Sequence, residues 1–271
     1  MSPISEQVIL VTGATDGHGK GVALELAKRG ATVLVHGRNE RRIAETVEAL
    51  VKAGSANARG YQADLSSLDQ VRALAKEVLA NEKRLDVLVN NAGIGTRVPG
   101  DGARTESDDG HELRFAVNYL APFLLTRLLL PLLERSRPAR IVNVSSIGQQ
   151  AIDFDDVMLE RGYSGVRAYC QSKLAQILST IDEAERLRGS GVSVNALHPA
   201  TYMPTKIVPS PMSTLEEGVE ATVRLVGDPE LEGTSGHFFN GLRDSEADAQ
   251  AYDAVARKKL RELSERLVGI P

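Results

Sequence analysis

Short apolar runs alternate along this chain with segments whose apolar residues recur every three to four positions. Residues 7–12 (QVILVT) are the first such run and end at Gly13, which predicts a buried strand. Ile43, Val47 and Leu50 have the spacing of an amphipathic helix that Asn39 can cap. Because strand and helix patterns alternate throughout, we predict an α/β fold, with one parallel sheet and helices on both faces.

The alternation continues to the end of the chain. Strands are predicted at residues 7–12, 31–36, 58–63, 85–90, 140–144, 192–197 and 236–240, and helices at residues 17–29, 39–51, 66–79, 112–135, 168–188, 213–226 and 246–267. Pro122 and Pro131 should kink or fray the fourth helix. The sequence shows no linker and no internal repeat, so we predict a single domain over residues 1–271.

Composition narrows the class of protein. The 271 residues are 42% hydrophobic, which excludes a chain that is disordered over its whole length. The net charge of −4 argues against a nucleic-acid-binding protein, and a single cysteine, Cys170, excludes an internal disulfide. The most apolar stretch, residues 121–133, is too short and too interrupted to cross a bilayer. We therefore expect a cytoplasmic protein without a membrane span.

Glycines cluster where the first strand meets the first helix. Backbone N–H groups in such a turn can approach a phosphate, and the helix N-terminus favours its negative charge. The spacing differs from G-x-G-x-x-G, but the position after a strand favours a dinucleotide site over an ordinary turn. The residues of this loop that we assign to the site are Gly13, Thr15, Asp16, Gly17, His18 and Gly19.

Gly37 and Arg38 follow the second strand. A site selective for NAD would place Asp or Glu there to hold the ribose 2′-hydroxyl. Arg38 instead offers a planar cation for a 2′-phosphate, which favours NADP(H) over NAD(H). Asp16 is an unfavourable neighbour for that phosphate, and the alternative is that Arg38 is a solvated loop residue.

Polar residues also follow the third and fourth strands, where ligands of parallel sheets bind. Asp64 can accept a hydrogen bond from an adenine amino group, or it can cap its own turn. Residues 90–93 (NNAG) suit a buried polar turn beneath a cofactor. The residues that we add to the candidate cofactor site are Asp64, Leu65, Asn91, Ala92 and Gly93.

Tyr169 and Lys173 lie four positions apart in a predicted helix, so they share one face. A neighbouring ammonium stabilises a phenolate, which suits the pair to proton transfer. Tyr202 and Lys206 have the same spacing, but Pro204 between them excludes a regular helix. We therefore take the first pair as the candidate.

Together, these motifs resemble the short-chain dehydrogenase/reductase family. The matching features are the glycine spacing of the first loop, residues 90–93 and the Tyr169/Lys173 pair, in that order. The resemblance implies a doubly wound Rossmann-type sheet of about seven strands and an NAD(P) cofactor that exchanges hydride with a carbonyl or alcohol carbon. It divides the chain into a cofactor half, about residues 1–145, and a catalytic half, about residues 146–271.

The resemblance also implies roles for individual residues. Tyr169 would be the general acid for carbonyl reduction and the base for alcohol oxidation, and Lys173 would lower its pKa and bind the nicotinamide ribose. Ser146 would bind the substrate oxygen, and Asn118 would hold a water molecule of the proton relay. Pro199 and Thr205 would lie at the nicotinamide.

Several positions depart from the family pattern. Ser146 lies 23 residues before Tyr169. This long gap is similar to that of the retinol dehydrogenase and WW-domain oxidoreductase branch, which favours an apolar carbonyl or alcohol substrate. His18 replaces an aliphatic residue, Pro199 is followed by alanine in place of glycine, and Thr205 stands one place beyond the family's threonine.

We predict an oxidoreductase that prefers NADP(H) and acts on a carbonyl or alcohol. The alternative is a dinucleotide sensor or scaffold on the same fold, which would not need Asn118, Ser146, Tyr169 and Lys173 together. We expect no metal site. We also expect a homodimer or homotetramer that associates through the helices beginning near Glu112 and Ala168.

Overall fold

The computed structural model describes residues 2–97, 103–204 and 212–270. Its strands form one sheet in the order β3-β2-β1-β4-β5-β6-β7-β8. They are β1 (Val8–Val11), β2 (Thr32–Gly37), β3 (Arg59–Gln62), β4 (Val87–Asn90), β5 (Ala139–Val144), β6 (Val192–His198), β7 (Phe238–Asn240) and β8 (Arg243–Ser245). The first seven pair in parallel and β8 pairs antiparallel with β7. The predicted doubly wound α/β fold is confirmed.

Helices cover both faces of this sheet. They are α1 (Gly17–Lys28), α2 (Glu40–Ala53), α3 (Leu68–Asn81), α4 (Leu113–Phe115), α5 (Ala121–Arg135), α6 (Gly165–Arg186), α7 (Leu215–Gly227) and α8 (Ala254–Val268). Asn39 caps α2 as predicted, because its side chain accepts a hydrogen bond from the Arg42 N–H. The order of strands reverses between β1 and β4, and ligands of such sheets bind at this switch point.

The core lies in two layers because side chains alternate along each strand. On β1, Leu10 faces the layer that contains α3, α5, α6 and α8. Ile9 and Val11 face the layer that contains α1 and α7. All three are fully buried, so the strands are apolar on both faces, as expected for a parallel sheet between helices.

The fourth predicted helix is interrupted, although not at either proline. A π-helical turn, Ala116–Leu120, joins α4 to α5. Pro122 follows this turn and has no N–H, so it cannot donate to the carbonyl of Asn118 four residues earlier. Pro131 lies inside α5 without ending it. The irregular turn therefore comes just before the first proline.

Two expectations about elements need correction. The sheet has eight strands in the described ranges instead of seven, because the short β8 pairs with β7. The terminal helix begins at Ala254 and not at residue 246, because Asp253 caps it there. A 3₁₀ turn, Ala249–Tyr252, precedes it. Elements of three or four residues have too little periodicity to be predicted.

The segment Leu113–Arg135 is long and apolar enough to cross a membrane, which the shorter stretch 121–133 did not suggest. Most of its apolar window is buried inside the fold, as in the core helix of a soluble protein. It is weak evidence for a span. The absence of a membrane span and a cytoplasmic location stay predictions.

Candidate active site

The described candidate residues gather along one edge of the sheet, where the parallel strands end. The glycine loop follows β1, Arg38 follows β2, and Asp64 and Leu65 follow β3. Asn91 follows β4, and Ser146 follows β5. Pro199 follows β6, and Thr205 lies outside the described residues. The topology therefore brings together segments that lie far apart in the sequence.

The glycine loop needs residues without a side chain at two positions. A Cβ atom at Gly19 would lie 2.3 Å from Asn91 Nδ2 and 2.4 Å from the carbonyl oxygen of Gly13. Gly13 has a positive φ of 66°, and its Cβ atom would lie 3.0 Å from the backbone of Ala92. The loop consequently lies directly against the turn after β4. Asp16 caps α1 by accepting a hydrogen bond from the Gly17 N–H.

His36 holds this loop in place, and sequence reasoning missed it. Its Nδ1 accepts a hydrogen bond from the Gly13 N–H at 3.2 Å, and its Nε2 donates to the carbonyl of Ala63 at 3.1 Å. Burial lowers the pKa of His36 to about 4, so the ring is neutral at pH 7. It therefore links the ends of β1, β2 and β3.

His18, at the N-terminus of α1, is buried against α7. Its Nδ1 lies 2.8 Å from Asn91 Oδ1, and its Nε2 lies 3.0 Å from the Gly218 carbonyl and 3.1 Å from Thr222 Oγ1. Burial lowers the pKa of His18, and its bonds to Gly218 and Asn91 act in the opposite direction. His18 therefore joins the glycine loop to α7 through polar contacts that an aliphatic residue could not make.

Arg42 is a second residue that the sequence did not reveal. Its Nη2 lies 2.9 Å from Asp16 Oδ2 and 3.3 Å from the carbonyl oxygen of Thr15. Because Arg42 balances the charge of Asp16, the objection that Asp16 repels a phosphate is weakened. Arg38 is largely exposed, and its Nη1 lies 3.6 Å from Asp64 Oδ2.

Asp64 also caps its own turn, since Oδ1 accepts hydrogen bonds from the N–H and the hydroxyl of Ser66. Gly37 has no free space beside it, because a Cβ atom there would lie 2.6 Å from Thr15 Cγ2. An acidic side chain of the kind that binds a ribose 2′-hydroxyl would not fit at position 37 without displacing Thr15.

The turn after β4 connects the glycine loop to the Tyr169/Lys173 pair. Asn91 Nδ2 donates to the carbonyl of Thr12 at 2.8 Å, and the Thr12 hydroxyl accepts from the N–H groups of Asn91 and Ala92. A Cβ atom at Gly93 would lie 3.1 Å from Asn118 Oδ1 and 3.6 Å from Lys173 Nζ. One continuous site therefore runs from the phosphate-type loop to Lys173.

Tyr169 and Lys173 lie on α6 with Lys173 Nζ 5.9 Å from the centre of the tyrosine ring. Burial raises the pKa of Tyr169, and its hydrogen bond with Ser146 acts in the opposite direction. Ser146 Oγ also accepts from the Gly148 N–H at 3.0 Å. The tyrosine hydroxyl thus has a fixed partner at the end of β5.

Lys173 is buried, and its ammonium donates to the carbonyl of Val144 at 2.8 Å and to Gln176 Oε1 at 3.0 Å. Burial lowers its pKa to about 7. His198, at the end of β6, is neutral at pH 7, because burial and then the charge of Lys173 lower its pKa to about 4. The site therefore holds its titratable groups close to their uncharged forms.

Asn118 lies within the π-helical turn, and its side chain is fully engaged. Oδ1 accepts from the Ile94 N–H at 2.8 Å, while Nδ2 donates to the Ile94 carbonyl and to Ser172 Oγ. The amide therefore fixes the turn after β4 against α6. Pro122, four residues after Asn118, has no N–H to donate to the backbone carbonyl of Asn118.

Comparisons with known proteins agree with this geometry. The family model for short chain dehydrogenases matches residues 7–214. The chain is 38% identical to mouse retinol dehydrogenase 13 and 37% identical to mouse retinol dehydrogenase 14, over 98% and 97% of its length and 85% and 86% of theirs.

A solved short-chain dehydrogenase from Shigella flexneri 2a, complexed with NADP, superposes with a TM-score of 0.71. It is 26% identical to this chain, and the match covers 88% of this chain and 98% of that one. The chain therefore belongs to the short-chain dehydrogenase/reductase family, on the retinol dehydrogenase branch, and is an NAD(P)-dependent oxidoreductase.

Proposed function

We propose that this oxidoreductase uses NADP(H) in preference to NAD(H) and interconverts an apolar alcohol and its carbonyl compound, with Tyr169 as the general acid and base. The observation that carries the proposal is the arrangement of Tyr169, Ser146 and Lys173. Their side chains lie at the carboxyl ends of the central strands, beside the turn after β4, where Gly93 approaches Lys173 Nζ.

The residues of the site fit a dinucleotide. Gly13 and Gly19 leave the backbone of the loop accessible, since a Cβ atom at either position would collide with neighbouring atoms. The N-terminus of α1 lies in the same loop and favours a bound phosphate. Among our site residues, the loop formed by Gly13, Thr15, Asp16, Gly17, His18 and Gly19 would surround the pyrophosphate with its backbone. Asp64, Leu65, Asn91, Ala92 and Gly93 would line the adenine and ribose path, and Pro199 and Thr205 the nicotinamide.

Two cations support the preference for NADP(H). Arg38 is exposed at the end of β2, and Arg42 lies one helical turn further on, beside Asp16. A guanidinium binds a phosphate in a bidentate manner, and neither of the two residues directly after β2, Arg38 and Asn39, is an acid that would hold the ribose 2′-hydroxyl.

The chain's own residues supply the proton chemistry. Bound NADPH supplies the hydride. As the carbonyl oxygen gains negative charge, the hydroxyl groups of Ser146 and Tyr169 stabilise it, and Tyr169 gives up its proton. Lys173, held by the carbonyl of Val144, favours the tyrosinate that results. The Asn118 carbonyl would position the water that returns a proton.

An apolar substrate is supported by exposed hydrophobic side chains in the segments that follow β5 and β6. Ile147 and Val166 lie in or next to the first of these segments, and Tyr202 and Met212 lie in the second. The named activity of the two mouse relatives, which are retinol dehydrogenases, points to the same substrate class.

The experiment is a titration of the purified protein with NADPH and NADH, followed by nicotinamide fluorescence, and then an assay with retinol and a panel of apolar aldehydes and ketones. We expect tighter binding of NADPH and turnover of at least one apolar carbonyl. Binding without turnover of any compound would favour the sensor or scaffold. Tighter binding of NADH would contradict the proposed cofactor preference.

A further inference from the structure

Gln176 is a buried residue that none of the motifs includes, yet it touches Lys173. It lies one turn after Lys173 on α6, and its Oε1 accepts a hydrogen bond from Lys173 Nζ at 3.0 Å. Only 3% of Gln176 and 5% of Lys173 is exposed. A buried ammonium depends on each of its acceptors, because no water replaces an acceptor that is lost.

The chemistry of the ammonium fixes the orientation of the Gln176 amide. An ammonium can only donate hydrogen bonds, so the amide oxygen must face Lys173 and the nitrogen must face away. Within the described residues, Gln176 Nε2 is buried and has no hydrogen-bond partner. A buried donor without a partner destabilises the fold, so a partner is expected on that side.

Gln176 also lines a small cavity. The cavity offers about 20 Å³ to the centre of a water molecule, which is room for roughly one water. Besides Gln176, its polar lining comes from Tyr119, Thr126, Asn143, Ser179 and Glu183. These side chains carry enough oxygen atoms to give a buried water the two to four polar partners that it needs.

We propose that Gln176 is a positioning residue for the reaction: its carbonyl fixes the ammonium of Lys173, and a water molecule in the cavity beneath fixes the amide. The carbonyl of Val144 holds the same ammonium from β5. Gln176 therefore sets both the orientation of the Lys173 ammonium, which faces Tyr169, and the protonation state of this lysine. This inference rests on the proposed role of Lys173.

The groups that face Lys173 are few. Tyr169 lies on the same helix, and His198 faces it from β6. Gly93 approaches Lys173 from the turn after β4, and Asn118 lies beside Gly93; neither residue titrates. Glu183, which lines the same cavity as Gln176, is paired with Arg127 at 2.9 Å. Gln176 is thus the one side-chain acceptor of this ammonium among the described residues.

The test compares Gln176→Met, which removes the acceptor at similar volume, with Gln176→Glu, which keeps one. Gln171→Met is the matched control, because Gln171 is equally buried on α6 but donates to the carbonyl of Ala151. Lys173 is titrated in the cofactor-free proteins by NMR of labelled lysine side chains, with Lys173→Arg to assign its signal. The dependence of kcat/KM for alcohol oxidation on pH is measured in parallel.

We expect Gln176→Met to lower the pKa of Lys173 by about one or more, as loss of a hydrogen bond to a charged group implies. Gln176→Glu should raise it, and Gln171→Met should leave it unchanged. With Gln176→Met the rise of kcat/KM should move to higher pH, because a less charged Lys173 stabilises the tyrosinate less. A crystal structure should show one water bonded to Nε2.

An unchanged pKa of Lys173 in Gln176→Met, or the same change in Gln171→Met, would overturn the inference. A shifted pKa with an unchanged pH profile would also overturn it, because Gln176 would then act on Lys173 without acting on the reaction. Failure of the proposed function looks different, since the wild-type protein itself would then lack turnover while the NMR titration still reports on Lys173.

Discussion

Burial acts on the two central residues of the site in opposite directions. It raises the pKa of Tyr169 and lowers that of Lys173 to about 7, so desolvation favours the uncharged form of both. The simple expectation that an ammonium four residues away lowers the pKa of the tyrosine is therefore incomplete. The hydrogen bond with Ser146 offsets part of the effect of burial on the pKa of Tyr169. The ammonium of Lys173 donates to the carbonyl oxygens of Val144 and Gln176.

Arg42 provides the sharpest test of cofactor preference. Arg42→Ala removes a cation beside Asp16 and the glycine loop, so binding of NADPH should weaken about 10-fold or more, and binding of NADH should weaken less. Nicotinamide fluorescence gives both dissociation constants. Arg41→Ala is the control, because Arg41 is exposed and pairs only with Glu45 within its own helix. An equal loss for both cofactors would contradict the role of Arg42.

The sequence identified residues whose partners are local and missed residues whose partners are distant. Tyr169 and Lys173 were found because a four-residue spacing on a helix is visible in the sequence. Arg42 and His36 were missed because they meet Asp16 and Gly13 only after β1 and β2 pair. The signal for Arg42 was its position in the first turn of the helix that follows Arg38.

At the scale of elements, the terminal helix α8 contacts the π-helical turn and α5 through polar side chains. Tyr119 Oη lies 2.7 Å from Ser264 Oγ, and Arg127 on α5 lies 3.1 Å from Glu265. The pattern of apolar residues predicted the helix, but not the surface to which it docks. That surface includes the helices assigned above to a subunit interface, so the homodimer or homotetramer stays a prediction.

Leu260 tests how strongly α8 is docked. It is buried on α8, so Leu260→Ala should lower the free energy of unfolding by about 2–4 kcal/mol through lost burial and a new cavity. Val255→Ala on the exposed side of the same helix should change it by less than about 0.5 kcal/mol. Urea unfolding measures both. Equal effects of the two substitutions would show that α8 does not pack as described.

For the whole molecule, buried neutral histidines predict acid sensitivity. The pKa of His36 falls from 6.5 to about 4 on folding, so the unfolded chain binds a proton first as the pH drops. The contribution of the neutral His36 ring to the free energy of unfolding is fully present above pH 6.5. It falls by about 3 kcal/mol as the pH drops from 6.5 to about 4. His198 acts in the same direction, since its pKa is also about 4.

The measurement is urea unfolding at several pH values between 7 and 4. His36→Gln should flatten the loss of stability over this range, because it removes one of the groups that take up a proton on unfolding. A wild-type slope in His36→Gln would mean that other groups cause the acid sensitivity.

The architecture of the molecule was predictable because alternation of strands and helices is a long-range pattern that a parallel sheet requires. The antiparallel β8 was not predictable, because three residues carry no period and only pairing with β7 defines them. The division into a cofactor half and a catalytic half also stays a prediction, since one sheet runs through both.

The most direct test of the account is Tyr169→Phe, which removes one hydroxyl and keeps the ring. We predict that turnover falls about 10²-fold or more while the dissociation constant for NADPH stays as in the wild type. Tyr252→Phe, at an exposed tyrosine, should retain full turnover. If Tyr169→Phe kept the turnover of the wild type, Tyr169 would not be the general acid and base, and the proposed mechanism would be wrong.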